Sequence, residues 1–310
     1  MKSVFVINPT AGKKVLQTEI IESIESYFAE NGGDYEIVIT EKAGQAQGIC
    51  RKMAESGEEL RIFAAGGEGT AFEVLNGVAG FDNVSIGVIP CGSANDFLKY
   101  FGNREEFFDI AKQVNGTELP IDIIKGGDTY AFNQCTAGLD AIAAEAMRRY
   151  KRFKWISGSL AYNLGVVNAF LTKPVDMIIR IDGKLIENVK CLFGVCANAP
   201  WYGGGYKSAP NAVPNDGKLD YTIINIGSKL KTVAVLGKYR KGEHIGKKYC
   251  LSGRCESMEF EAKKPMPINF DGEIYSTKKI KFEIIKNGIK FILPGVVAEK
   301  FAPKKETVNA

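Results

Sequence analysis

Two carboxylates, Glu68 and Asp96, lie inside glycine-containing segments, Gly66-Gly67-Glu68-Gly69-Thr70 and Pro90-Cys91-Gly92-Ser93-Ala94-Asn95-Asp96-Phe97. A third segment, Asn8-Pro9-Thr10-Ala11-Gly12-Lys13-Lys14, adds a glycine and two lysines. Glycine lets backbone N–H groups approach an oxyanion, lysine supplies positive charge, and carboxylates suit a hard divalent cation. Together they suit phosphate chemistry. No segment is a complete nucleotide-binding fingerprint. A Walker A loop needs glycine where Ile7 stands and Ser or Thr where Lys14 stands, and Phe72 occupies the third glycine place of a dinucleotide turn. Further on, Asp216-Gly217 and Asp271-Gly272-Glu273 put carboxylates at turn signals, where Asp216 and Glu273 read equally well as ordinary turn residues. Asp96 can likewise do no more than strengthen a helix N-terminus.

Other chemistry is limited by supply. His244 is the single histidine, in Lys-Gly-Glu-His, which reads as a surface turn; multi-histidine metal centres are excluded and Ser-His-Asp catalysis lacks an orienting partner. The seven cysteines contain no C-x-x-C. The C-x4-C pairs Cys191/Cys196 and Cys250/Cys255 place thiols on opposite faces of a strand, so they read as small buried apolar residues.

The elements that must carry these segments alternate in the manner of a parallel sheet with crossover helices. Strands are expected at Ser3–Ile7, Tyr35–Thr40, Leu60–Ala65 and Val84–Ile89. Helices are expected from Leu16 through Ile20, Ile24 and Phe28 to the stop at Asn31-Gly32-Gly33, at Gln45–Glu55, at Thr70–Val78 and from Asn95. All three glycine segments then follow strand carboxyl ends, where open α/β sheets bind ligands. After Lys125, β-branched runs and turns at Asp182-Gly183, Asp216-Gly217 and Asp271-Gly272 indicate a mostly antiparallel second domain, with helical interruptions near 139–172 and 229–241. The expected division is 1–125, with 294–310 a candidate to rejoin it, and 126–293.

The chain of 310 residues can bury a substantial core, and its apolar runs fall short of the ~18 residues that span a bilayer. The apolar stretch at the N-terminus is too short for a secretory signal, so a cytoplasmic chain is expected. Met1–Lys125 carries 11 Lys and Arg against 19 Asp and Glu, net −8; the remainder carries 29 against 17, net +12. The basic charge gathers at Arg148, Arg149, Lys151, Arg152 and Lys154 before Trp155, and more loosely at Lys229, Lys231, Lys238, Arg240, Lys241, Lys247 and Lys248. No nucleic-acid motif accompanies it, so an anionic membrane surface is the expected partner rather than nucleic acid.

The three glycine segments, with Glu73 and Asn76-Gly77, resemble the diacylglycerol kinase catalytic-domain family, specifically the small bacterial lipid kinases. The resemblance continues through Trp201-Tyr202-Gly203-Gly204-Gly205, Pro210, Ala212, Asp216-Gly217, Leu219-Asp220 and Asp271-Gly272-Glu273, and so covers nearly the whole chain. It implies an α/β N-terminal domain with a parallel sheet, of the NAD kinase/diacylglycerol kinase type, and an antiparallel β-sandwich-like C-terminal domain. It further implies an ATP-dependent kinase that phosphorylates a lipid hydroxyl, most simply turning diacylglycerol into phosphatidic acid, peripherally bound at an anionic membrane. By match to the family motifs, Asn8, Thr10, Ala11, Gly12, Lys13, Lys14, Thr40, Gly66, Gly67, Glu68, Gly69, Thr70, Glu73 and Ser93 would hold ATP. Glu68 and Asp96 would help hold a catalytic Mg²⁺, and Glu273 would be the general base. Asp216 with the carbonyls of Val213 and Lys218 would hold a second Mg²⁺.

The family usually has Asp where Glu68 stands, and the extra methylene moves a carboxylate by about 1.5 Å. A soluble NAD kinase-like enzyme and a non-catalytic nucleotide- or lipid-binding regulator are the alternatives, and a homodimer is left open.

Overall fold

The computed structural model describes residues 1–12, 14–92, 95–138, 176–186, 191–225, 235, 237–295 and 297, with backbone alone at 14–16, 191 and 192. The chain divides into two compact units, Met1–Pro120 with Ile289–Ala310, and Ile121–Gly288.

In the first unit the apolar run of β1 (Lys2–Ile7) is buried and becomes an inner strand of a parallel sheet. It pairs with β2 (Tyr35–Ile39) on one side and β3 (Leu60–Gly66) on the other, and β3 pairs with β4 (Val84–Pro90). Parallel neighbours require crossovers, supplied by α1 (Lys14–Asn31), α2 (Gln45–Glu55) and α3 (Glu68–Val78). The four-residue spacing of Ile20, Ile24 and Phe28 is visible as burial against Phe5 and Phe63. α2 and α3 approach closely at Gly77, where a Cβ would stand 2.7 Å from the Gln47 carbonyl oxygen and 2.8 Å from Cys50 Cβ.

The helix expected from Asn95 is a short 3₁₀ turn, Asp96–Tyr100, entered through Asn95 in the left-handed conformation (φ 50°). Phe97 and Phe101 fix it in place by packing on Phe291, at centroid distances of 5.6 and 5.5 Å. A second 3₁₀ turn, Arg104–Phe107, and α4 (Ile110–Val114) complete this stretch.

The second unit is antiparallel and β-sandwich-like. β5 (Thr117–Gly126) leads into it and pairs with β6 (Thr129–Ala131). Next comes β7 (Gln134–Gly138), and Asp182-Gly183 turns β8 (Met177–Ile181) into β9 (Lys184–Ile186). Then come β10 (Cys191–Ala197), β11 (Leu219–Asn225), β12 (Cys250–Cys255), β13 (Ser257–Phe270) and β14 (Glu273–Leu293), whose last residues, from Ile289, belong to the first unit and pair parallel with β4 there. Their order is β12-β11-β10-β7-β13-β14, with β8 also on β13. The Asp271-Gly272 signal becomes the β13–β14 hairpin. Of the expected helical interruptions, 139–172 lies outside the described residues, while 237–241 is helical.

His244 departs from expectation: it is fully buried. Nε2 meets the Ser208 carbonyl at 3.0 Å and the ring packs on Tyr239 at 4.6 Å, so burial lowers its pKa. Cys50, Cys91, Cys135, Cys196 and Cys255 are buried thiols, as small apolar residues should be, whereas Cys250 is only half-buried and the Cys191 side chain is undescribed.

Candidate functional site

The carboxyl edge of the parallel sheet gathers the glycine segments. Asn8 follows β1, and its N–H donates to the Ala65 carbonyl at 3.0 Å. Its side-chain oxygen accepts from the Thr10 N–H and hydroxyl at 3.0 and 2.8 Å, while Nδ2 donates to the Thr70 hydroxyl at 3.2 Å. The turn is tightened by Gly12 (φ 78°) and by Gln17, which donates to the Ala11 carbonyl at 3.2 Å. Thr40 directs both its N–H and its hydroxyl to the Ile7 carbonyl, at 2.9 and 3.3 Å.

The β3 and β4 ends are interlocked. Gly92 N–H donates to the Gly66 carbonyl at 3.1 Å, and the backbones of Gly67 and Gly92 lie together with no room for a side chain on Gly92. Arg104 clamps the other side, donating to the Pro90 carbonyl at 3.1 Å and the Gly92 carbonyl at 2.5 Å. α3 starts at Glu68, two residues before its expected start, with Gly67 as N-cap and no side-chain cap. In its first turn the Thr70 N–H turns back to the Gly67 carbonyl at 3.1 Å, and the turn as a whole forms the positive end of the helix dipole.

Glu68 and Asp96 come together here: the Glu68 carboxylate accepts the Asp96 N–H at 3.0 Å. Asp96 is fully buried and ion-paired with Lys99, one 3₁₀ turn on. Asn95 Oδ1 is buried and accepts no hydrogen bond from the described residues. The Glu73 carboxylate accepts from the N–H groups of Gly44 at 2.7 Å and Ala46 at 3.1 Å, which caps α2. Ser93 and Lys13 lie outside the described residues, and Lys14 opens α1 with its side chain undescribed.

In the second unit, Glu273 is half-buried and opens β14, opposite Phe270 across the hairpin. Asp216 accepts the Lys218 N–H on Oδ1 at 3.1 Å, and its Oδ2 is taken by Arg254. Arg254 Nε also lies 3.6 Å from Asp220, whose carboxyl is pushed up to about 6 by burial, with Arg254 opposing and Asp216 adding to the shift. Asp122 underpins this loop: its carboxylate accepts the N–H groups of Gly217 at 2.6 Å and Asn287 at 2.8 Å.

The two cation positions suggested by the sequence differ in fit. Mg²⁺ is commonly held by one or two carboxylates plus substrate phosphates and waters. Glu68 and Asp96 are two such carboxylates joined through the Asp96 N–H, with Lys99 as the counter-charge that a cation at Asp96 would share. Asp216 is already neutralised by Arg254, with its other oxygen accepting the Lys218 N–H, so a cation there would compete with Arg254. Among the described residues no group of three or more His, Cys, Asp and Glu could hold a metal.

Comparison with known proteins follows the same division. Residues 2–126 match the diacylglycerol kinase catalytic domain, and residues 133–293 match the YegS C-terminal NAD kinase beta sandwich-like domain. A diacylglycerol kinase of Bacillus subtilis is 30% identical over 95% of this chain and 97% of its own length. The chain belongs to the diacylglycerol kinase family. A second member, a diacylglycerol kinase of Staphylococcus carnosus, is 27% identical over 93% of this chain and 94% of its own. A crystal structure of a diacylglycerol kinase from Bacillus anthracis shares the fold, with a TM-score of 0.68 and 20% identity over 96% of this chain and 98% of that one. As a family member the chain is a lipid kinase.

Sequence reasoning did not find Lys99, Arg104, Asp122, Arg254 or Asp271. Only Asp271 carried a signal, the turn-forming Asp-Gly pair, and that signal concerns backbone shape rather than the reach of its carboxylate.

Proposed function

We propose that this lipid kinase transfers the γ-phosphoryl group of ATP to the hydroxyl of diacylglycerol, giving phosphatidic acid, at the surface of an anionic bilayer. The observation that carries the reading is the joining of three strand ends into one edge: Asn8 bonded to Thr70, Gly92 to Gly66, and Glu68 to Asp96. Phosphoryl transfer is mainly positioning and charge stabilisation, and an uncapped helix N-terminus beside close-packed glycine turns is suited to both.

The first-turn N–H groups of α3, the Asn8–Lys14 loop, Thr40 and Ser93 orient the phosphates. Glu68 and Asp96 would hold magnesium, which when bound would offset charge on the transferring group. Glu73 acts through the α2 N-terminus that it caps. Glu273 accepts the hydroxyl proton as the lipid oxygen bonds to the γ-phosphorus and the bond to the β-phosphate oxygen breaks, releasing ADP. Lys238, Arg240, Lys241, Lys247 and Lys248 are exposed and add about 1 kcal/mol each toward anionic lipid. The Arg148–Trp155 run, assigned the same role, and Lys229 and Lys231 of the looser cluster lie outside the described residues.

The experiment is a radiolabelled-ATP assay on mixed lipid extract with identification of the labelled product. Labelled phosphatidic acid is expected. Labelled NADP from added NAD would favour a soluble NAD kinase. ATP binding without turnover on diacylglycerol, ceramide, sphingosine or undecaprenol would favour a regulator. Vesicle binding that ignores phosphatidylglycerol content and salt would refute the docking claim.

A further inference from the structure

The β13–β14 hairpin has a two-residue tip, Asp271-Gly272, with both residues at positive φ (47° and 101°). An Asp-Gly tip needs only tolerance of the left-handed region, which Asn supplies as well. Asp271 does more than that. Its carboxylate accepts the N–H of Phe132 at 2.6 Å, of Asn133 at 3.1 Å and of Gln134 at 2.9 Å, three consecutive groups in the bend between β6 and β7. Its own N–H donates to the Gln134 carbonyl at 3.1 Å, extending the β13–β7 ladder by one step beyond Phe270 and Cys135.

The bend itself is firmly held. Asn198 donates its N–H to the Asn133 carbonyl at 2.7 Å and its side chain to the Phe132 carbonyl at 2.8 Å, while Asn133 reaches the Trp201 carbonyl at 2.7 Å. At the other end of the tip, the Gly272 N–H is taken by Asn269 at 2.7 Å. The next residue is Glu273.

We infer that Asp271 is a positioning residue for Glu273: by collecting the three N–H groups of the Phe132–Gln134 bend, its carboxylate fixes the tip from which the base projects. The inference rests on the assignment of Glu273 as general base. A carboxylate is specifically required, because three converging N–H donors need acceptor oxygens and an amide would turn two donors of its own toward them. Withdrawal from solvent raises the carboxyl to about 6 while the N–H groups oppose the rise, so it is the ionised form that makes these bonds at neutral pH.

The test is a double-mutant cycle on the full chain, with diacylglycerol and ATP as substrates. Asp271→Asn is expected to lower kcat by about 10–10²-fold, the cost of a base displaced by a fraction of an ångström, and to leave the ATP KM within about threefold. In a Glu273→Gln background the same substitution is expected to cost almost nothing further, since it acts only through Glu273. Gly272→Ala is a second probe should Asp271→Asn fail to fold: a Cβ there meets nothing within 4 Å, so only the strained tip is disturbed, and the same non-additive loss is expected. An undiminished kcat, or an equal loss with and without Glu273, overturns the inference. Wild-type turnover in Glu273→Gln alone overturns the base assignment and the inference with it.

Discussion

Replacing Gly92 by alanine adds one methyl group where two backbones already touch. That Cβ would stand 2.6 Å from Gly67 Cα and 3.2 Å from Asn95 Oδ1, whereas a Cβ on Gly67 would stand 3.7 Å from Gly92 Cα, an ordinary contact. Neither glycine has a left-handed φ, so the two substitutions differ in space rather than in backbone strain. Gly92→Ala must push the β3 and β4 ends apart by about 1 Å, and overpacking of that kind costs ~1–3 kcal/mol. For a unit of this size the loss is about 2–10 °C in Tm. Gly67→Ala, at the N-cap of α3, should cost only about 0.5 kcal/mol. Thermal unfolding followed by circular dichroism, without nucleotide, compares the two directly. Equal Tm losses, or the larger loss in Gly67→Ala, would refute the claim that these strand ends are packed backbone on backbone.

Glu68→Asp shortens the side chain that reaches the Asp96 N–H, so a stability loss of about 1 kcal/mol is expected, read by urea unfolding, while lipid phosphorylation is kept or raised. Activity lost together with ATP binding would contradict the proposed role of Glu68. Burial lowers the His244 pKa, so the folded chain favours neutral imidazole and the unfolded chain takes up the proton first. This contribution to stability is complete above the unfolded pKa near 6.5 and is lost as pH falls toward the lower folded value. The Tm of the wild type should fall between pH 7 and pH 5.5 more than that of His244→Gln, and parallel curves would show that the histidine is not responsible.

The first unit was legible because its strands are short apolar runs and its glycine segments follow them directly. The start of α3 was placed two residues late because a glycine N-cap has no side chain to announce it. The 3₁₀ turn at Asp96 read as a helix because the left-handed Asn95 leaves no periodic trace. His244 looked like a surface residue since its partner, Ser208, is 36 positions away. Asp271 looked like a turn residue since the N–H groups it collects lie 137 to 139 positions upstream. Arg254 changes the reading of Asp216 from 38 positions away. What sequence pattern missed was long-range pairing of single polar groups.

The most direct test of the central claim is a comparison of wild type with Glu273→Gln, using purified chain, radiolabelled ATP and diacylglycerol in phosphatidylglycerol vesicles, with ATP affinity measured in parallel. The account predicts labelled phosphatidic acid from the wild type, a rate about 10²–10⁴-fold lower in the variant, and unchanged ATP affinity. Phosphatidic acid formed at the same rate by both proteins, or by neither, would contradict it.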